Sequence, residues 1–245
     1  MCTLAISLGA DRRWPVVVAA NRDERLGRPA EGWALRTTPG GVRWVGPRDA
    51  QAGGTWIGLS ASGVVAALTN FHAPFDWYPD PARRSRGELV PRALEAPSAA
   101  AAGEALARLD PSAWNPFHLL VADAGSAFLW WYDGERQGRE PLGPGLHLVT
   151  EDSPHGAGLR GDLVRTRWPL DPSPARLREL LSLHAPPHPA PTCLHVEPHY
   201  GTRSSAVLRL PLELRHAELC AADGPPCTFP LEDRSALLAA LARSA

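Results

Sequence analysis

The chain opens on short apolar runs separated by polar turns. Residues 3–8 alternate weakly, and residues 15–20 form a β-branched run, Pro-Val-Val-Val-Ala-Ala, that ends at Asn21. Joined by the polar stretch 9–13, the two predict a hairpin at the very start. A second pair has the same form: residues 54–59, a Ser-Ala-Ser-Gly turn, then 64–68 ending at Thr69-Asn70. Past a loop rich in Pro, Asp and Arg (73–84), the spacing turns helical over 86–94 and about 98–109, with Ser98 as an N-cap. Strand signals resume at 117–122, 127–132 and 146–150, followed by helical stretches at 158–167 and 174–183. A proline-rich linker (185–191) then leads to strands at 205–210 and 213–220, and a closing helix over 232–243. Strands, then helices, then strands again predict an α+β layered domain, a single one over 1–245, without the regular alternation of a doubly wound sheet.

Charge and composition narrow the function. Against 26 acidic residues stand 25 basic ones, for a formal charge of −1. Such a balance argues against nucleic acid or an anionic membrane surface as a partner recognised by bulk field. Every basic residue is arginine, so a Walker A lysine, a kinase strand lysine and a Schiff-base lysine are all missing. Arginine stays protonated and cannot replace a nucleophilic amine. Neither GxSxG nor HExxH occurs. The four cysteines, Cys2, Cys193, Cys220 and Cys227, are too few for a disulfide-built scaffold and form no CxxC. Cys220 and Cys227 could pair across a Gly-Pro-Pro turn, but two unpaired thiols are the reading adopted. With no basic-then-apolar leader and no long apolar segment, a cytoplasmic chain with no membrane span is expected.

Cys2 carries the chemistry to be weighed first. Removal of Met1 would leave a thiol and a free α-amine on one residue, nucleophile and base together; otherwise Cys2 is a chance cysteine at the start of a buried strand. Asn21-Arg22-Asp23-Glu24 ends the strand expected to pair with the first, and Asn70 ends the next hairpin in the same manner. An Asn70 amide could face a developing oxyanion, although Asn and Asp after strands are also ordinary turn formers. Trp130-Trp131-Tyr132 and Phe71-His72 offer surfaces for haem, or else plain sheet core. Cys193, His195 and His199, with His188 nearby, have metal-like spacing; nothing fixes a fourth ligand, and no metal or other cofactor is assigned. The segment 71–84, with Phe75, Trp77 and Tyr78, reads as a lid beside Asn70 or as a dimer patch.

Taken in order, Met1-Cys2-Thr3-Leu4, Asn21-Arg22-Asp23-Glu24, Gly53-Gly54-Thr55-Trp56-Ile57-Gly58, Ala67-Leu68-Thr69-Asn70, Ser85-Arg86-Gly87-Glu88-Leu89 and Tyr200-Gly201-Thr202-Arg203-Ser204-Ser205 resemble the NRDE family, that of the transport and Golgi organisation protein 2. The resemblance implies a four-layer αββα sandwich of two antiparallel sheets, similar to the N-terminal nucleophile hydrolases that cleave conjugated bile salts and penicillin V. It places the nucleophile at Cys2, the aspartate at Asp23, the oxyanion donor at Asn70 and a late arginine at Arg203. Asn21, Arg22, Glu24 and Glu151 fall at or beside the site. Arg22 either receives a substrate carboxylate or pairs outward with Glu24. Glu151 stands where family members commonly carry Asn, and Ala20 where the bile-salt enzymes carry Arg. The implied function is hydrolysis of a non-peptide amide or other acyl bond in a small molecule. The alternative is a non-catalytic binding or trafficking protein for haem or an acyl or lipid ligand.

Overall fold

Short, largely apolar runs buried on both faces account for most of the strands, and long partner strands account for where they stop. The computed structural model describes residues 2–72, 79–196 and 198–243; Phe75, Trp77 and Tyr78 of the expected lid lie outside them. A hairpin, β1 (Thr3–Leu8) and β2 (Val16–Arg25), comes first. Then come β3 (Ala30–Thr37), β4 (Arg43–Asp49), β5 (Ile57–Ser60), β6 (Val65–Asn70), the helices α1 (Leu89–Leu94) and α2 (Ala99–Leu106), and β7 (Phe117–Ala122), β8 (Ala127–Tyr132) and β9 (Gln137–Pro141). The chain continues with β10 (Gly145–Thr150), α3 (Leu159–Arg167), α4 (Pro174–Leu181), β11 (His195–Val196) and β12 (Tyr200–Leu210). It closes with β13 (Glu218–Ala222), β14 (Glu232–Asp233) and α5 (Ser235–Ala242). Two compact units result, Met1–Arg28 with Pro144–Ala236, and Pro29–Gly143 with Leu237–Ala245.

In the first unit the sheet order is β10-β1-β2-β12-β13-β14, with β11 on β12. Ala5, Val17, Ala19 and Val207 share one face and are buried by Val164 of α3 and Leu177, Leu180 and Leu181 of α4. Each such leucine contributes on the order of 1.5–3 kcal/mol by leaving water. Leu4, Ile6, Val18 and Ala20 alternate onto the other face and are equally buried. By the same alternation Asn21 and Asp23 fall on the helix side. Arg22 and Glu24 fall on the opposite side, which they share with Cys2.

Several boundaries differ from the sequence pattern. The Asn21–Glu24 tetrad lies within β2, where a turn was expected, because β12 begins at Tyr200 and pairs Gly201, Thr202 and Ser205 with Glu24, Asp23 and Asn21. A long partner strand offers these turn-forming residues ladder bonds that a turn cannot. The 213–220 strand shifts to β13, since Leu214–His216 forms a short 3-10 turn. The closing helix starts only at Ser235, whose N–H donates to Asp233 Oδ1 at 2.8 Å. Ahead of α3, Gly156-Ala157-Gly158-Leu159-Arg160-Gly161 has the spacing of a dinucleotide loop, a match the motif reading passes over. It follows β10, an antiparallel edge strand, so the parallel βαβ unit that gives the spacing its meaning is not there.

In the second unit β3 to β9 pair in chain order. Ala66 and Leu68 of β6, Phe117, Leu119 and Val121 of β7, and Phe128, Trp130 and Tyr132 of β8 form one alternating face, covered by Leu89, Val90, Ala93 and Leu94 of α1 and Ala99, Ala102 and Leu106 of α2. Ser98 caps α2 as expected, accepting from Ala101 N. Sequence pattern misses β3 and β9, whose residues are largely exposed or half-buried with Glu, Gly and Arg among them, and β4, which is mostly buried but carries Gly, Pro and charged residues in Arg-Trp-Val-Gly-Pro-Arg-Asp. Among the described residues no helix is long and apolar enough to cross a membrane.

Two of the glycine-bearing motifs meet in this unit. A Cβ on Gly54 would lie 2.5 Å from the carbonyl carbon of Gly87 and 2.7 Å from its oxygen, while Thr55 N donates to that oxygen at 3.1 Å. Since backbone faces backbone, G54A is expected to destabilise the chain by about 1–3 kcal/mol. The measurement is the denaturant midpoint at constant slope; an unchanged midpoint would show that the two segments can separate at no cost.

Candidate active site

Strand register assembles the site. Thr3 pairs with Asn21 of β2 and with Thr150 of β10, so the residue before it falls alongside the continuing β2 and just past the end of β10. Cys2 is 8% exposed there. Its backbone nitrogen donates to Glu151 Oε1 at 3.0 Å, and its thiol to the Asp23 carbonyl at 3.6 Å. Glu151 is fully buried in a turn closed by backbone hydrogen bonds between Thr150 and Ser153. Asp23 is 4% exposed, and its Oδ1 accepts from the Thr202 hydroxyl at 2.6 Å. That hydroxyl accepts in turn from Leu194 N at 2.8 Å.

The electrostatics are those of a crowded acidic pocket. Burial, then the charge of Glu151, pushes the Cys2 thiol from 9.0 up to about 12. Burial pushes the Asp23 carboxyl from 3.8 up to about 6, against the positive charge of the chain's N-terminus, the Thr202 hydrogen bond and the positive charge of Arg160. The Tyr200 phenol is also raised, by burial and then by Glu151, Cys2 and Asp23. It therefore stays protonated at neutral pH. Glu151→Gln keeps an acceptor for Cys2 N and removes the charge. It is expected to lower all three raised values and so speed alkylation of Cys2 by roughly three- to tenfold, as half to one pKa unit would. An unaltered alkylation rate would show that Glu151 does not act on the thiol by charge.

Other residues have different duties. Asn21 is 1% exposed and wholly engaged in the framework: its amide donates to the Leu181 and Thr192 carbonyls at 2.8 and 2.7 Å and accepts from Ser205 Oγ at 2.7 Å. Arg22 donates to Glu24 Oε2 at 3.1 Å while sharing the sheet face of Cys2, so the inward and outward alternatives for it are not exclusive. A β-bulge sets Arg203 and Ser204 together against Arg22, and the Arg203 guanidinium donates to the Asp223 carbonyl at 3.4 Å. Asn70 closes β6 in the second unit, half-buried and opposite Phe117. Trp130 and Tyr132 pack against Phe117 in the core, and Phe71 stacks on His118, so these aromatic side chains serve the sheet.

Two members of the site were not anticipated, Arg160 and Tyr200. Arg160 is buried at 9% exposure in the first turn of α3. Its signal in the sequence was the glycine bracket around it: Gly156 and Gly158 have positive φ, and a Cβ on Gly161 would overlap the Gly156 carbonyl oxygen. Tyr200 opens the last of the motifs quoted for the family resemblance.

Comparison with known proteins bears on the family and the fold. Residues 1–169 match the family model Transport and Golgi organisation 2. The human Transport and Golgi organization protein 2 homolog is 31% identical over 161 residues, 62% of this chain and 52% of that protein, and the mouse homolog is 30% identical over 160 residues with the same coverage. The chain thus spans about half the length of the curated relatives it matches. In fold it is similar to the N-acylethanolamine-hydrolyzing acid amidase ortholog of Caenorhabditis elegans, with a TM-score of 0.60 at 15% identity over 85% of this chain and 92% of that one. It is also similar to a mutant conjugated bile acid hydrolase from Clostridium perfringens (TM-score 0.55, 12% identity, 96% and 93% covered). The penicillin V acylase of Agrobacterium tumefaciens gives 0.53 at 13% identity, covering 91% of this chain and 83% of that one. With a match over that span, the chain belongs to the Transport and Golgi organisation 2 (NRDE) family, on a two-sheet α+β architecture that resembles the N-terminal nucleophile hydrolase fold.

Proposed function

We propose that Cys2, once freed of Met1, is the nucleophile of a hydrolase acting on a small-molecule amide or other acyl bond. The observation that carries the reading is the hold on Cys2: nitrogen to Glu151 at 3.0 Å, thiol to the Asp23 carbonyl at 3.6 Å. Where the backbone nitrogen now sits, the processed chain would place its α-amine, within reach of its own thiol. The thiol proton passes to that amine as sulfur bonds to the acyl carbon. Collapse of the adduct expels the amine or thiol of the substrate, which takes the proton, and leaves a thioester on Cys2. Water then attacks the thioester, with the α-amine again as base. Glu151 and Asp23 orient the ammonium, and Arg160 offsets part of their negative charge. Arg22, on the face of Cys2, would receive an anionic group of the substrate.

The similar folds named for bile acid, penicillin V and N-acylethanolamine hydrolysis support an acyl substrate, each being a statement about that protein. The test is to incubate chain beginning at Cys2 with a panel of N-acyl amides and acyl thioesters, quench in acid and measure intact mass. One acyl group mapped to Cys2, its turnover by water, and loss of both in Cys2→Ala are expected. If no donor in the panel acylates a chain whose Cys2 amine is free, the hydrolase reading falls, and binding of a haem or acyl ligand without turnover takes its place.

A further inference from the structure

Among the described residues, a close group of three soft metal-ligating side chains lies beyond the family-matched span. Cys193 follows the proline-rich stretch and is fully buried, with its N–H donating to the Leu183 carbonyl at 2.8 Å. Thr192 beside it is tied to α4 through the Leu180 carbonyl at 2.6 Å. His195 opens β11 opposite Gly201, where a Cβ would lie 2.7 Å from the Leu194 carbonyl oxygen. Cys227 arrives separately, after Pro226, whose carbonyl accepts from Arg178 Nε of α4 at 3.0 Å. Segments fixed independently thus bring three donors together. Cys193 Sγ is 3.6 Å from Cys227 Sγ and 3.6 Å from His195 Nε2, and His195 Nε2 is 3.1 Å from Cys227 Sγ.

Those separations are close to the edges of a tetrahedron. Zinc holds thiolate sulfur at about 2.3 Å and imidazole nitrogen at about 2.0–2.1 Å, so tetrahedral angles put two sulfurs about 3.8 Å apart and sulfur and nitrogen about 3.5 Å apart. A disulfide would need its sulfurs at about 2.05 Å. We propose that Cys193, His195 and Cys227 bind a zinc-like divalent ion, with water in the fourth position. Two thiolates and an imidazole select such an ion over magnesium or calcium. Cys193 is buried, Cys227 half-buried and His195 exposed, which leaves an entry path from solvent. The His184 ring packs edge-on against that of His195, with centroids 5.8 Å apart, and so restricts its rotation. The sequence spacing pointed to His199 and His188 as partners; the structure supplies Cys227. Leu194, between two of the ligands, is the residue whose N–H holds the Thr202 hydroxyl on Asp23. The ion would therefore act as a staple under the support of the candidate active site, itself outside the chemistry.

The test uses full chain purified without a metal-affinity step, stripped with chelator under reductant, and titrated with Zn²⁺ or Co²⁺. One equivalent of Zn²⁺ per chain is expected, with a rise in Tm on binding. Co²⁺ is expected to show thiolate-to-metal charge transfer and intense tetrahedral bands. All three signals should vanish in Cys227→Ser and in His195→Ala and persist in Cys220→Ser. A wild-type chain with free thiols that gives only the weak spectrum of hydrated cobalt would overturn the proposal. So would a tetrahedral spectrum that survives Cys227→Ser, or a Cys193–Cys227 disulfide formed where zinc should bind.

Discussion

Chain that retains an N-terminal extension is expected to carry a Cys2 almost inert to iodoacetamide at neutral pH, and release of the extension to leave Cys2 first is expected to speed its labelling at least a hundredfold. The thiol is pushed up to about 12 from 9.0 while the residue stays inside a longer chain. Three units of pKa remove about a thousandfold of the reactive thiolate. Cleavage turns the nitrogen that donates to Glu151 at 3.0 Å into an ammonium. A positive charge then appears on the same residue as the thiol, against the carboxylate that had opposed ionisation. Burial persists, so only part of the thousandfold returns. Rates are read by peptide mapping after timed alkylation, on an extended chain and on the same chain cut by a site-specific protease. Equal rates before and after cleavage would refute an amine-assisted thiol and leave Cys2 as a packed strand residue.

How much of this was legible beforehand depends on where information resides in a strand. β7 and β8 could be read to the residue because each is a nearly continuous apolar run, buried on both faces and bounded by turn residues such as Asp123, Gly125 and Asp133, and Ser98 declared the start of α2. β3 could not, since its side chains are mostly half-buried or exposed and its ladder to β4 is broken by a register shift. In the site, Cys2, Asp23 and Glu151 were placed from motif order, and register explains why they meet. Arg160 was invisible to that reasoning: it comes from a helix on the other side of the chain's long excursion, and only the glycines around it hint at the close packing there. Cys227 was equally hidden. Its partners lie more than thirty residues earlier, and no spacing rule spans a gap whose length is set by β12 and β13. Asn21 shows the reverse case, a residue of the motif most suggestive of chemistry whose side chain is engaged in the framework, holding two backbone carbonyls and the Ser205 hydroxyl.

Asp23→Asn is expected to make the chain more stable at pH 7.5 and to abolish acyl transfer. Burial holds the Asp23 carboxyl at about 6 in the folded chain against 3.8 as its ordinary value. Between those values the folded state binds more protons than the unfolded one, so stability falls as pH rises through the interval. The contribution is fully present below about 3.8 and gone above about 6. At neutral pH the buried charge therefore costs on the order of 3 kcal/mol, at about 1.4 kcal/mol per pKa unit. The asparagine Oδ1 can keep the hydrogen bond from Thr202 and carries no charge to desolvate. For a chain of this size each kcal/mol moves Tm by roughly 2–4 °C, so the variant should melt several degrees higher at pH 7.5 and match the parent near pH 4. Measuring the difference between the two proteins across pH cancels the other carboxylates, which titrate in both. A gap that does not open between pH 4 and pH 7, or a variant less stable than the parent at neutral pH, would mean that Asp23 serves the fold through Thr202. A carboxylate kept at a net cost to stability is instead what a catalytic role requires, because a site that must hold an ammonium needs a charge the core alone would not select.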